Sequence, residues 1–191
     1  MKKVKHSILT LLLLAIGISN LSAQNLNPAL KDFEFLLGNF TIVTNMPNGK
    51  GGWIKMGTGD SEVSTILDGT FIVDQKKTKF GQNSLTTFTT IGIDPRTGEY
   101  RFIVLDKEWG TMDVYKGKKE GKSIIVNNVD SDARFTDQDG NKLAFQLAYH
   151  LVSSSQIDFV IHSSKDEGKT WEPYGKATYT RRPVIREISG N

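Results

Sequence analysis

The 191-residue chain carries 24 Lys+Arg against 21 Asp+Glu, three histidines and no cysteine. Without cysteine there is no disulfide framework and no acylated-Cys lipid anchor, so the fold must rest on its own core. Lys2, Lys3 and Lys5 sit at the extreme N-terminus, and the rest of the chain balances 21 basic against 21 acidic residues, which excludes the basic footprint of a generic nucleic-acid binder.

In chain order, a basic head (residues 1–5) precedes an apolar run at 8–18 and a small-residue stretch ending at Ala23. That order predicts a secretory signal over residues 1–23 with cleavage after Ala23. The apolar run is shorter than the roughly 20 residues that span a bilayer. The expectation is therefore an exported protein, periplasmic or secreted, with no membrane span after processing. Residues 24–191 are long enough for a single domain with its own core, with a tail from about 183.

A short helix comes first. Asn27 suits the N-cap, Pro28 the first helical position and Gly38 the stop, while Leu30, Phe33, Leu36 and Leu37 share one face at spacings of three and four. The period then switches to two. Runs at 40–44, 53–67, 70–79, 85–93, 100–106, 112–116, 123–128, 143–152, 157–162 and 174–180 predict about ten strands. Turn signals separate many of them, such as Asn48-Gly49, Asp68-Gly69, Asp94-Pro95 and Asp139-Gly140. In 143–151 the odd positions are large and apolar, and Ile157, Phe159 and Ile161 alternate with Asp158, Val160 and His162. Such one-sided strands need a shared interior, a sandwich or a closed barrel. Residues 101–105 look apolar on both faces and leave their orientation open.

Leu36-Leu37-Gly38-Asn39-Phe40, Ile66-Leu67-Asp68-Gly69-Thr70-Phe71, Thr90 through Tyr100, Asp166-Glu167-Gly168-Lys169-Thr170-Trp171 and Ala177 through Arg182 follow one another in an order that resembles a bacterial family of unknown function with a lipocalin-like, calycin-type barrel. The resemblance implies an all-β fold, an antiparallel barrel of eight to ten strands with the helix closing one end. In lipocalins an aromatic opening the first strand is covered by a late arginine. Here that aromatic is Phe40, in place of the usual Trp, with Arg181 or Arg182 as its cation–π partner. The family brings no established activity.

Other motifs have local explanations. Ser164 to Trp171 fits the Asp-box pattern of sialidases, in a single copy, and reads as a hairpin device with Gly168 at positive φ. The acidic segment 130–140 does not align with an EF-hand loop, which leaves a solvated turn. His150 and His162 fall on the strand face opposite the large apolar residues, which argues against haem or zinc. No nucleophile elbow or phosphate-binding glycine loop is present. No cofactor and no metal are expected.

The aromatic content remains. Trp53, Phe71, Phe88, Phe102, Trp109, Met112, Phe145, Tyr149 and Phe159 are the candidates for lining a cavity, since a small barrel can hold one apolar ligand. The leading expectation is a non-enzymatic binder of a small hydrophobic or amphipathic molecule. One alternative is a structural or protein-interaction module, marked by an exposed apolar patch. The other is a barrel enzyme, a hydrolase or isomerase, marked by inward polar groups with shifted pKa values, for which Asp113, Tyr115, Lys55 and Glu62 are available. Ligand identity and oligomeric state are not encoded in these patterns.

Overall fold

A computed structural model describes residues 26–183; the predicted signal segment and most of the predicted C-terminal tail lie outside the described residues. Asn27 caps the first turn, its side chain accepting from the Ala29 N–H at 3.0 Å. The helix that follows, Pro28–Leu36, is a 3-10 helix rather than an α-helix. Three residues per turn place Leu30, Phe33 and Leu36 in one line, and all three are buried. Leu37, the C-cap, is half-buried and packs against the same core.

Eleven strands follow. They are β1 (Gly38–Pro47), β2 (Trp53–Ile66), β3 (Phe71–Phe80), β4 (Asn83–Ile93), β5 (Tyr100–Asp106), β6 (Thr111–Glu120), β7 (Ser123–Asn127), β8 (Phe135–Thr136), β9 (Lys142–Ser153), β10 (Gln156–Ser164) and β11 (Glu172–Arg181). Ten of them form a closed antiparallel barrel; β8 is a two-residue ribbon attached to β9. Each strand pairs with the next, β7 passes to β9, and β1 against β11 shuts the ring in the register Phe40↔Arg181 and Ile42↔Tyr179. Short connections favour this order because successive antiparallel strands need only a tight turn. Closure leaves the ten strands without a free edge.

Burial settles the faces. On β5, Tyr100, Phe102, Val104 and Asp106 point inward, and Ile103 and Leu105 point out. The helix lies across one end. Leu30, Phe33 and Leu36 meet Phe40, Ile91, Tyr100, Phe102, Tyr149 and Tyr179 in a continuous core. Phe33 stacks edge-on to Tyr100 at 4.6 Å. Outside the plug, Asp32 accepts from the Tyr100 hydroxyl at 2.8 Å and from Lys119. Burial and Asp32 together push the Tyr100 phenol up to about 12.

The predicted aromatic–arginine contact is present, and register selects Arg181. Its guanidinium lies 4.7 Å from the Phe40 ring centroid and donates to the Leu37 and Phe35 carbonyls at 2.5 and 2.8 Å. Gly38 (φ +129°) leaves room for it, since a Cβ there would lie 2.5 Å from Arg181 Nη1. Arg182 turns instead to Asp60.

Candidate functional site

The two ends of the barrel differ. The half under the helix is filled with apolar side chains, while the other half carries a polar inner wall. Inward positions on neighbouring strands supply Ser61 (β2), Asp74, Lys76 and Thr78 (β3), Thr87 and Thr89 (β4), Asp106 (β5) and Asp113 (β6). They adjoin one another through Ser61↔Lys76, Asp74↔Thr89, Lys76↔Thr87 and Thr87↔Asp106. Across the interior stand Phe145 and Leu147 of β9, Phe159 and Ile161 of β10, and the small residues Gly175 and Ala177 of β11. An apolar wall thus faces a polar one.

Several of these inward side chains keep accessible surface. Lys76, Val104, Asp113, Phe145 and Ile161 are only partly buried although they point into the barrel. They lie in the half of the barrel opposite the helix, at the end where Trp53 and Trp109 flank the turns.

At mid-barrel the polar groups form a network. Ser61 Oγ donates to Asp74 Oδ1 at 2.6 Å, and the Tyr179 hydroxyl donates to Asp74 Oδ2 at 3.2 Å. Lys76 Nζ donates to the Tyr179 oxygen at 3.3 Å, and Tyr149 and Tyr179 are hydrogen-bonded to each other. Nζ also lies 4.8 Å from the Phe159 ring centroid and 5.9 Å from that of Tyr179. Some of the lysine stem remains accessible, but the surroundings of the ammonium are dense. Burial lowers the Lys76 pKa, and the charge of Asp74 partly restores it. Burial raises both tyrosines well above the usual phenol range, with Asp74 adding to the shift. Nearer the mouth, burial and then Asp106 raise the Asp113 carboxyl; burial and then Asp113 raise the Tyr115 phenol.

The residues singled out from the sequence scatter over these surfaces. Phe102, Tyr149 and Phe159 enter the interior core, and Phe145 lines the open half. Trp53 (42% exposed) and Trp109 (72%) sit at the rim. Phe71 packs outside against Gly92, and Phe88 and Met112 also face outward. Asp113 and Tyr115 point inward, whereas Lys55 and Glu62 are exposed. Sequence reasoning did not select Ser61, Asp74, Lys76 or Tyr179. For Asp74 and Lys76 the only signal was polar residues alternating along β3, and nothing local marked Ser61 of β2 or Tyr179 of β11.

The other motifs are local. In the Ser164–Trp171 turn, Asp166 accepts from the Thr170 N–H and hydroxyl at 2.9 and 2.7 Å, and Gly168 has φ +83°. Those hydrogen bonds hold the Asp166 carboxyl down at about 2. His150 is outward and bonded to Ser123 at 2.6 Å, and burial, aided by the charge of His150, lowers the His162 pKa. Asp137 binds the Asn141 N–H within its own turn. Among the described residues no three His, Asp or Glu side chains converge as a metal site. No helix among them is long and apolar enough to cross a membrane.

Two features lie outside. A recess of about 480 Å³ runs between β6, β7 and the Asp166 turn, lined by Lys116, Asn127, Asp130, Gln146 and Trp171. Within it Lys116 pairs with Asp130, and its lining shares no residue with the inner network. The outer face of β4–β5–β6 bears Phe88, Ile103, Leu105, Met112 and Val114, all exposed and adjacent in register.

Residues 31–181 match the family described as "Protein of unknown function (DUF1579)". No curated protein matches the chain. Among solved structures it is similar to Rv2717c from M. tuberculosis, with a TM-score of 0.59 and 13% identity over 83% of this chain and 99% of that one. It is also similar to the S-type phycobiliprotein lyase CPES from Guillardia theta, with a TM-score of 0.51 and 9% identity over 79% and 90%. At such identities the likeness is one of fold.

Proposed function

The chain belongs to this family of unknown function, whose match covers nearly all of the barrel, and from that premise we propose an exported bacterial protein that holds one small hydrophobic or amphipathic molecule without catalysis. The signal-like residues 1–23 support the exported part of this reading, and residues 24–191 then form the mature domain. The observation that carries the binding part is the half-open interior. Phe145, Ile161 and Val104 are inward, apolar and still accessible, facing a wall of hydrogen-bonding groups. A concave, largely apolar site with a few convergent polar groups is the usual form of a small-molecule pocket. The apolar body of the ligand lies against β9–β11 and its polar end faces β3 and β4.

Native mass spectrometry of protein purified from its own host tests this. The expected result is an extra mass that disappears on denaturation and is lost in Ile161→Trp, which fills the interior. A clean protein mass, unchanged after exposure to a lipid and metabolite extract, would overturn it.

The exposed patch on β4–β6 supports a second reading, a module that meets another protein through that face. Leu105→Glu separates the two readings, because it disrupts the outer patch and leaves ligand retention intact.

A further inference from the structure

Resting on the binding reading above, we propose that Lys76 receives an acidic group, so that the barrel selects small apolar molecules carrying a single carboxylate, held acid-inward at mid-barrel. An ammonium has three donors. In the described residues Lys76 Nζ uses one, toward Tyr179, and it enters no ion pair, the charge of Asp74 reaching it only from beyond that distance. Asp74 is its nearest charge partner in sequence, but both Asp74 oxygens are taken by Ser61 and Tyr179. A buried charge is costly unless paired and hydrogen-bonded, and here two aromatic faces provide only partial compensation.

A second, independent observation points to the same spot. Thr87, the register neighbour of Lys76 on β4, has a buried hydroxyl with no hydrogen-bond partner. Buried hydroxyls rarely stay unpaired. A carboxylate has two oxygens, and it meets both needs: one oxygen accepts from Lys76 and the other from Thr87.

The remaining inward charges define what is refused. Asp106, the register partner of Thr87 on β5, and Asp113 on β6 already place two carboxylates in the open half, and one Asp106 oxygen accepts the Trp109 N–H at 2.9 Å. A second anionic group on the ligand would face these carboxylates, so diacids are rejected. The aromatic and aliphatic wall opposite takes the hydrocarbon body.

The test uses the full chain at neutral pH and the neutral dye N-phenyl-1-naphthylamine as an interior probe, displaced by decanoate, 1-decanol or decanedioate. Charged hydrogen bonds in a dry site predict that decanoate displaces the dye at about tenfold lower concentration than 1-decanol, with decanedioate weakest. In Lys76→Met the acid and alcohol should converge to within about twofold. Thr87→Val, a milder change, should narrow the gap without closing it, and thermal unfolding confirms that both variants are folded. Equal displacement by acid and alcohol in the wild type, or a preference that survives Lys76→Met, would overturn the acid assignment while dye binding leaves the hollow interior standing. Absence of dye binding that is sensitive to Ile161→Trp would overturn both.

Discussion

Arg181 joins the helix to the seam of the barrel, and its removal has a calculable cost. Its guanidinium makes two part-buried bonds to the Leu37 and Phe35 carbonyls and covers Phe40. Charge-assisted bonds of this kind contribute about 1.5 kcal/mol each at the low end that partial exposure warrants. The cation–π contact adds about 0.5 kcal/mol. Arg181→Ala should therefore cost about 3.5 kcal/mol, and at about 2–4 °C per kcal/mol for a domain of this size the midpoint falls by about 7–14 °C. Arg181→Lys keeps a cation near Phe40 but not the planar fork, so it should lose roughly half as much. Circular dichroism melts of both variants and of Phe40→Leu give the coupling directly. If Arg181→Lys melts with the wild type, or Arg181→Ala loses less than about 1 kcal/mol, the helix is held by its apolar stripe alone and the clamp argument fails.

Two further expectations follow from the same geometry. Phe33 is fully buried against Tyr100 and Phe102, so Phe33→Ala should cost about 3–5 kcal/mol in urea unfolding; a smaller loss would mean that the plug adds little to the core. Asp166 titrates at about 2 in the folded protein and near 4 when unfolded. A depressed carboxyl contributes stability that is present above the unfolded value and is lost as pH falls toward the folded one. The melting difference between wild type and Asp166→Asn should accordingly shrink between pH 4 and pH 2, and a difference constant over that window would contradict the assigned hydrogen bonds.

What was legible in the sequence was local. The Asp166 turn could be read because all its partners lie within a few residues, and the helix because its cap, stripe and stop are contiguous. Its 3-10 winding was foreshadowed by the triplet Leu30, Phe33, Leu36, but spacings of three and four fit an α-helix equally well. The faces of β5 could not be assigned, because the apolar outer patch supplies Ile103 and Leu105 on the side where alternation expects polar residues. The inner network was hidden for the opposite reason. Asp74 and Lys76 are charged residues in the run 70–79 with no local mark of an inward face, and they are accommodated inside because Tyr179, more than 100 positions away, brings its hydroxyl between them. Arg181 could be told from Arg182 only once the pairing Phe40↔Arg181 was known.

The closure of β1 on β11 also bears on how the molecule assembles. Most ladders join strands through a short turn, so the sheet can grow by adding one hairpin after another, each a fast local event. The last ladder is different: Thr41 and Thr180, which bond across it, are 139 positions apart. If the ends had to meet first, loop entropy would cost about 2 kcal/mol more than a ten-residue turn, whereas a curved, nearly finished sheet has already brought them close. Until the ring shuts, such a sheet carries two unpaired borders that can be met by a second copy as readily as by each other. The residues that fasten the seam therefore decide whether the chain finishes as one ring or as an exchanged pair.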